Sequence, residues 1–339
     1  MTDDKLMPKV SIAIPTYNRA SYLEQAIESA LAQDYCNLEV IVSDNASDDG
    51  TEALVRKYIG DKRFVYHRQK INIGPQKNWQ KLVYEYVSGE WMMILGSDDY
   101  LIDHNFISKC VESINKVSNC VICYGNIRIL YEDGGSSFDR INKSPAVMDG
   151  TWYFWDYEKG SSIHVVCMLF DRCKAIENKA FALDVIGAET ELISKLLLSG
   201  TVCFVDTVAV AYRIHSEGDS YNVNFERLYG NYQSYVNIFN FALQLHPTWK
   251  KKLLKLRKER LQGFFKTAFY NFLSDNKKTA FKFLLKSKND YPSEIIPLFF
   301  QLKIILAVIL GMLFSEQTFK KIRNVFYKRA YGKEAKPYA

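Results

Sequence analysis

The chain lacks a cysteine framework. Its seven cysteines are odd in number and fall at no disulfide spacing, which fits thiols held reduced in a cytoplasm. Cys120 and Cys123 make one CxxC, but they stand in an apolar, strand-like run and no second pair lies at zinc spacing. Buried structural thiols are therefore expected there, not a metal or redox site. No GxGxxG occurs, which removes the fingerprint of a dinucleotide site, and no GxxxxGK[ST], which excludes a P-loop NTPase. Ile12–Arg19 lacks the Gly- and Lys-rich phosphate loop that a sugar-1-phosphate nucleotidyltransferase would need. Met1–Lys9 is polar and runs directly into an apolar segment, so no secretory leader is expected.

What is present is a globular composition, 48% hydrophobic and 24% charged over 339 residues, enough for one large or two ordinary domains. The net charge of +6 conceals an asymmetry: residues 248–339 carry 21 basic and 6 acidic side chains, and the remainder 23 and 32. An acidic body with a basic tail points to a tail that meets an anionic surface. Lys250, Lys251, Lys252, Lys255, Arg257, Lys258 and Arg260 lead that tail, and Ile295–Phe314 follows with Lys303 as its one charge. Twenty such residues are long enough to span a bilayer, yet both flanks are basic where orientation rules expect one basic side. A helix lying in the cytoplasmic leaflet is the expectation, with a buried helix of a C-terminal bundle as the alternative. Basic residues interleaved with long apolar runs suit a bilayer better than a phosphate backbone, so no nucleic-acid partner is expected.

Upstream, short apolar strands alternate with amphipathic helices. Lys9–Ile14, Leu38–Val42, Phe64–His67, Trp91–Leu95 and Cys120–Tyr124 read as strands. Helices are expected after a Ser21 cap, from Thr51 to about Tyr58, from Pro75 to near Ser88, and over Asp103–Val117. That alternation means βαβ units and a largely parallel sheet. Further on, Glu132–Gly135 marks a hairpin turn. His164–Phe170, Thr201–Val205 and Val208–Ile214 read as strands, and Gly187 opens a helix to about Ser199. The aromatic group Trp152, Tyr153, Phe154, Trp155 and Tyr157 reads as core, or as a surface for stacking on sugars.

Chemistry concentrates where strands end. WMMILGSDDY (Trp91–Tyr100) runs a buried strand straight into adjacent carboxylates, Asp98 and Asp99. Like charges side by side raise each other's pKa unless a cation shares them. A divalent ion held by one or two carboxylates plus substrate phosphates is the economical reading, and a turn with a helix cap is the plain one. Asp44, Asp48 and Asp49 follow the second strand; a carboxylate cannot cradle phosphate, but it can bond a ribose or base N–H. Glu189 and Glu191 both fall in the first turn of one helix, where capping alone would favour a carboxylate. They project about 200° apart, so one acceptor cannot be served by both.

Taken in order over about residues 9–220, VSIAIPTYNR, VIVSDNASDDGT, NIGPQKNW, ILGSDD, AETEL and YRIH resemble glycosyltransferase family 2, the inverting GT-A enzymes that use nucleotide-sugars. Within that family the LGSDD form is most similar to bacterial deoxysugar transferases that build O-antigen. The resemblance implies an α/β GT-A fold, Rossmann-like, with a mostly parallel central sheet flanked by helices. A catalytic domain would cover 1–221 (nucleotide-sugar half 9–125, acceptor half 126–221), and a basic helical, membrane-associating region 222–339. It implies that Pro15, Tyr17 and Arg19 line the nucleotide pocket, that Asp44 bonds the base, and that Asn72, Gly74 and Asn78 shape the floor. Ser97 and Asp98 would meet the nucleotide-sugar. Asp98, Asp99 and His215 would hold Mn2+ or Mg2+, and Glu189, or its competitor Glu191, would be the general base. The donor would be UDP-, dTDP-, GDP- or CDP-linked, the acceptor a polyprenyl-diphosphate-linked glycan, and the location the inner face of the cell membrane. Two departures stand out: Gly96 where the fuller DxDD pattern has Asp, and Ala188-Glu189-Thr190 where Glu-Asp is usual. A non-catalytic nucleotide-sugar-binding subunit is the rival they suggest.

Overall fold

A computed structural model describes residues 7–132, 137–157, 163–185, 187–215 and 225–301. The chain forms two compact units, Met1–Ser216 and Glu217–Ala339. The boundary expected at 221/222 lies outside the described residues.

The first unit opens with β1 (Val10–Thr16), α1 (Ala20–Leu31), β2 (Leu38–Asp44), α2 (Thr51–Val55), β3 (Phe64–Arg68) and α3 (Pro75–Lys81). β4 (Trp91–Ile94), β5 (Tyr100–Leu101), α4 (Phe106–Asn115), β6 (Cys120–Tyr131), β7 (Phe138–Arg140) and β8 (Val147–Asp149) follow. It closes with α5 (Gly150–Tyr157), β9 (Met168–Asp171), α6 (Arg172–Glu177), α7 (Ala188–Leu197) and β10 (Thr201–Ile214). One sheet runs in the order β3-β2-β1-β4-β9-β6-β10-β5, with β7 on β6 and β8 on β10. Every residue of β1 and β2 is buried, as strands covered on both faces require. Each fully buried Val, Ile or Leu there contributes about 1.5–3 kcal/mol.

The sheet is mixed around a parallel majority. β3, β2, β1 and β4 are parallel, but β9 lies antiparallel between β4 and β6. β6 and β10 are parallel to each other, so the two reversals at β9 return both to the direction of β4. The C-terminal end of β10 thus reaches the same sheet edge as the ends of β1, β2 and β4. Apolar periodicity cannot report this, because a strand buried on both faces reads the same in either direction.

Other elements differ in detail. α1 starts at Ala20, not after a Ser21 cap; the carboxylate of Asp49 accepts the Ala20 N–H at 2.8 Å instead. The two strands expected over Thr201–Ile214 are one, with register breaks between Phe204 and Val208 that look from the sequence like an interruption. α2 stops at Val55, and α3 passes into a wider helical turn at Leu82–Tyr86. The expected hairpin turn falls largely on residues outside those described, though β6 and β7 on either side pair antiparallel. Of the aromatic group, Tyr153 and Phe154 are core and Trp152 is exposed. Cys120 and Cys123 are buried free thiols.

The second unit holds α8 (Phe225–Leu245), α9 (Lys250–Asp275) and α10 (Lys277–Asp290). Their shared core is aromatic: Tyr232, Phe265, Phe269 and Phe283 are fully buried, with Phe265 and Phe283 stacked 5.7 Å apart. Ile295 and Leu298 are buried in this same core. The first residues of the expected 295–314 helix instead end a short helix (Pro292–Ile295) and make a tight turn over Ile296–Phe300 containing Pro297. Residues 302–314 lie outside those described. No helix among the described residues is long and apolar enough to cross a membrane.

Candidate active site

Strand register sets the floor of the site. Thr16, Asp44 and Arg68 lie in one row across β1, β2 and β3. Beyond them the β1–α1 and β2–α2 loops are stitched together. The Asn18 N–H donates to Ser47 Oγ (2.9 Å), and Asn18 Oδ1 accepts the Asp48 N–H (2.9 Å). Asn18 and Ala46 both take the left-handed conformation, at φ 51° and 65°, which asparagine accepts more readily than most residues. Asp49 is desolvated, yet hydrogen bonds from Ala20 and Thr51 hold its carboxyl below the usual range. Asp49 is thus a loop-and-helix clasp.

Asp44 is fully buried, and both its oxygens are already engaged. Oδ1 accepts the Ser47 N–H (2.8 Å), Oδ2 accepts the Tyr66 hydroxyl (2.7 Å), and Arg68 Nε lies at 3.4 Å. A base contact would have to share these partners. Asn78, also buried, joins α3 to β2 by donating to the Ser43 carbonyl (2.8 Å) and accepting the Ser43 hydroxyl (2.7 Å). Asn72 Oδ1 accepts both the Gly74 N–H and the Asn45 amide. Gly74, at φ 85°, makes the left-handed step into α3 that a side chain would strain. Pro15 is buried at the end of β1, Tyr17 is exposed and Arg19 half-buried. Hydrogen bonds thus tie the end of β2 to α3 and to the loop before it, with Asp44 and Asn78 buried.

Beside it stands the aspartate pair. β4 ends at Ile94, and the turn Gly96–Asp99 closes with the Asp99 N–H on the Gly96 carbonyl at 3.0 Å. Ser97 is buried. A Cβ at position 96 would lie 2.5 Å from Asp99 Oδ2 and 2.8 Å from Asp98 Oδ1. Glycine there gives the two carboxylates room to fold back over the turn, and a larger residue would have to displace their oxygens.

The two aspartates differ. Asp99 is 1% exposed, and its Oδ1 accepts the Arg213 N–H at 2.9 Å. Desolvation first, then the neighbouring Asp98 charge, push its carboxyl well above the usual range. The Asp98 side chain is 27% exposed, and its Oδ2 lies 2.9 Å from His215 Nε2. His215 Nδ1 is buried without a partner among the described residues. One acidic oxygen and one imidazole nitrogen therefore face each other at the strand ends, as a pair that fits a divalent ion completed by substrate phosphates. No three His, Cys, Asp or Glu side chains converge as a full metal cage among the described residues.

Glu189 and Glu191 are separated by environment. Glu191 is buried and bound to Lys195 at 2.6 Å, one helical turn on. Glu189, half-buried in the first turn of α7, has no ion pair among the described residues, and desolvation raises its carboxyl to about 7. An unpaired carboxyl titrating near neutrality suits proton abstraction, whereas one neutralised by lysine does not.

Known proteins share sequence and fold with this chain. The family model described as Glycosyl transferase family 2 matches residues 11–174. That stretch of the chain is a glycosyltransferase family 2 segment. Among family relatives, a Campylobacter jejuni GalNAc(5)-diNAcBac-PP-undecaprenol beta-1,3-glucosyltransferase is 28% identical, over 83% of this chain and 88% of that one. The Salmonella typhimurium abequosyltransferase RfbV is 41% identical over 27% of this chain and 28% of its own. A Rickettsia felis glycosyltransferase is 28% identical over 79% of this chain, which spans only 43% of that relative's length. Among solved structures, S. aureus TarS 1–349 in complex with UDP-GlcNAc superposes with a TM-score of 0.65 at 17% identity, over 81% of this chain and 79% of that one. The mannosyltransferase PcManGT from Pyrobaculum calidifontis, in complex with GDP-Man and Mn2+, gives 0.51 at 16% identity, over 96% and 88%. The family's GT-A architecture is thus the fold of this chain, a curled mixed sheet between helices.

One participant is not singled out by motif reading. Arg213 lies within YRIH, but nothing in the pattern separates an arginine that organises a site from one on the surface. Its guanidinium donates to the Asp98 carbonyl at 2.6 Å and to Gln25, and pairs with Glu132 at 3.3 Å. Only the register of β10 on β6 and β5 brings these partners together.

Proposed function

We propose that the protein is an inverting glycosyltransferase that moves a sugar from a nucleotide-sugar to a hydroxyl of a lipid-linked glycan, in the synthesis of a bacterial cell-surface polysaccharide. The observation that carries this reading is the Asp98–His215 couple at the strand ends, and a carboxyl raised to about 7, Glu189 in the first turn of α7, supports it. The loops around Asn18, Asp44 and Asn72 supply the walls for the nucleotide, in the crevice where α/β sheets bind ligands.

Chemically, Glu189 takes the acceptor hydroxyl proton as that oxygen bonds to the anomeric carbon. The bond from that carbon to the diphosphate oxygen breaks in the same displacement, and the nucleoside diphosphate leaves with the electron pair. No covalent enzyme intermediate is needed, and the configuration inverts. Asp98 and His215 would hold Mn2+ or Mg2+, which when bound neutralises charge on the departing diphosphate. Asp99 does not serve as an open ligand; it braces the turn through Arg213.

A panel of UDP-, dTDP-, GDP- and CDP-sugars with a membrane extract as acceptor source tests the reading. Turnover of one donor, abolished by EDTA and restored by Mn2+ or Mg2+, is the expected result. Nucleotide binding without turnover of any donor would favour a non-catalytic binding subunit instead.

The lipid-linked acceptor draws support from the C. jejuni relative, whose name carries an undecaprenyl diphosphate, and from the exposed lysines of α9. Lys250, Lys251, Lys252, Lys255 and Lys258 are all on the surface, and each basic residue near an anionic leaflet is worth about 1 kcal/mol. This would place the protein peripherally on the inner membrane face. Replacing these lysines with glutamine is expected to abolish flotation with anionic liposomes while leaving thermal unfolding unchanged. Undiminished flotation would refute this use of the surface.

A further inference from the structure

We infer that Arg213 and Glu132 are positioning residues that lock the aspartate pair in place, and that Arg213 does not act as a phosphate clamp. The inference rests on the glycosyltransferase reading above. An arginine beside a carboxylate assigned to the metal of a diphosphate site invites the simpler view that it contacts the diphosphate, and the geometry argues otherwise.

Each nitrogen of the guanidinium has a partner. Two aromatic rings also lie close to its central carbon, with centroids of Tyr22 at 5.3 Å and Tyr100 at 4.7 Å. Nη1 donates to the Asp98 carbonyl, Nη2 to Gln25 Oε1, and Nε faces Glu132 Oε1. Only 11% of the side chain is exposed. Through its backbone N–H the same residue also holds Asp99 Oδ1. One residue thus fixes the main chain of Asp98 and the carboxylate of Asp99.

The contacts close into a circuit. Glu132 Oε2 accepts the Tyr22 hydroxyl at 2.5 Å, the Tyr22 ring lies 5.1 Å from that of His215, and His215 returns to Asp98. Glu132 itself is anchored by its N–H to the Ile214 carbonyl at 3.2 Å, just where β6 ends. Three separate elements, α1, β6 and β10, therefore converge on Asp98 through a single planar cation. A lysine could keep the charge, but not the fork.

The test compares Arg213→Lys, Glu132→Gln and the double variant with the wild type. Steady-state kinetics are paired with direct Mn2+ and nucleoside diphosphate titrations. Arg213→Lys is expected to lower kcat about 30- to 100-fold, with donor KM within about threefold, and to weaken Mn2+ binding about tenfold. Glu132→Gln, which keeps an acceptor for Tyr22, should lower kcat about five- to tenfold. The double variant should be no worse than Arg213→Lys within about twofold, because both residues act through one circuit. Wild-type-like activity in Arg213→Lys, a loss confined to donor KM, or multiplicative effects would overturn the inference. Absence of turnover in the wild type would instead overturn the underlying reading. Should Arg213→Lys fold poorly, the exposed Glu132→Gln decides: unchanged Mn2+ affinity and kcat would refute the circuit.

Discussion

Glu189→Gln is expected to lower kcat by about 10²–10⁴-fold while making the folded chain more stable above pH 7. Both effects come from the same desolvation, which lifts the carboxyl from 4.5 to about 7. For an acid whose folded pKa is raised, the penalty is nil below the unfolded value. It grows as pH rises between the two values, because the unfolded chain releases its proton first, and it levels off above the folded value. Glutamine carries no such penalty. The variant should match the wild type near pH 4 and exceed it by roughly 1–3 kcal/mol at pH 8, measured by denaturant unfolding. In the wild type, kcat/KM should climb about tenfold per pH unit up to about 7 and then flatten, since the base must be ionised. Glu191→Gln makes the contrast. It takes the counter-charge from Lys195, which lies buried against it and keeps the Asn178 carbonyl as an acceptor at 3.0 Å, so a loss of about 1–3 kcal/mol is expected. A destabilised but active Glu191→Gln beside a stabilised but inactive Glu189→Gln assigns the base. The reverse pattern would transfer that role to Glu191.

Much of this is legible in the sequence, and the reason is local. A buried strand that runs into two aspartates, or into Pro-Thr-Tyr-Asn, announces its chemistry within ten residues. The alternation of strands and helices announced an α/β sheet in the same way. What the sequence does not carry is who meets whom. Glu189 and Glu191 share a helical turn and a residue type, and only Lys195 being one turn on and buried separates them. Asp98 and Asp99 are adjacent, yet one faces His215 and the other faces a backbone N–H. The direction of β9 is invisible in an apolar run, and with it the return of β10 that delivers Arg213 and His215. Asp44 shows the converse: its position at a strand end is readable, but the saturation of both its oxygens by Ser47 and Tyr66 is not. The apolar residues of Ile296–Phe300 look like the start of a membrane-directed helix despite Pro297, and tertiary packing around Leu298 redirects them.

Asp98→Asn should be the most damaging change on the metal side, and Asp99→Asn a mild one. The asymmetry follows from where each carboxylate points. Asp98 offers a partly exposed oxygen next to His215, so removing its charge removes a ligand that asparagine cannot replace. A loss of about 10³-fold in kcat is expected, with half-saturating Mn2+ raised more than tenfold. His215→Ala should share the raised Mn2+ requirement. Asp99 sits in a site whose desolvation and negative neighbour keep its proton on well above the usual range. Asparagine there preserves shape, retains an acceptor for the Arg213 N–H, and changes the charge little. Activity within about tenfold of wild type and a thermal midpoint shifted by only a few degrees are expected. Asp99→Ala, by contrast, leaves the buried Arg213 N–H unsatisfied at a cost of about 1–3 kcal/mol, and frees the turn that aims Asp98. Mn2+ titrations of the two asparagine variants decide the matter: if Asp99→Asn is the one that loses the metal, the buried aspartate is the ligand and Asp98 the brace.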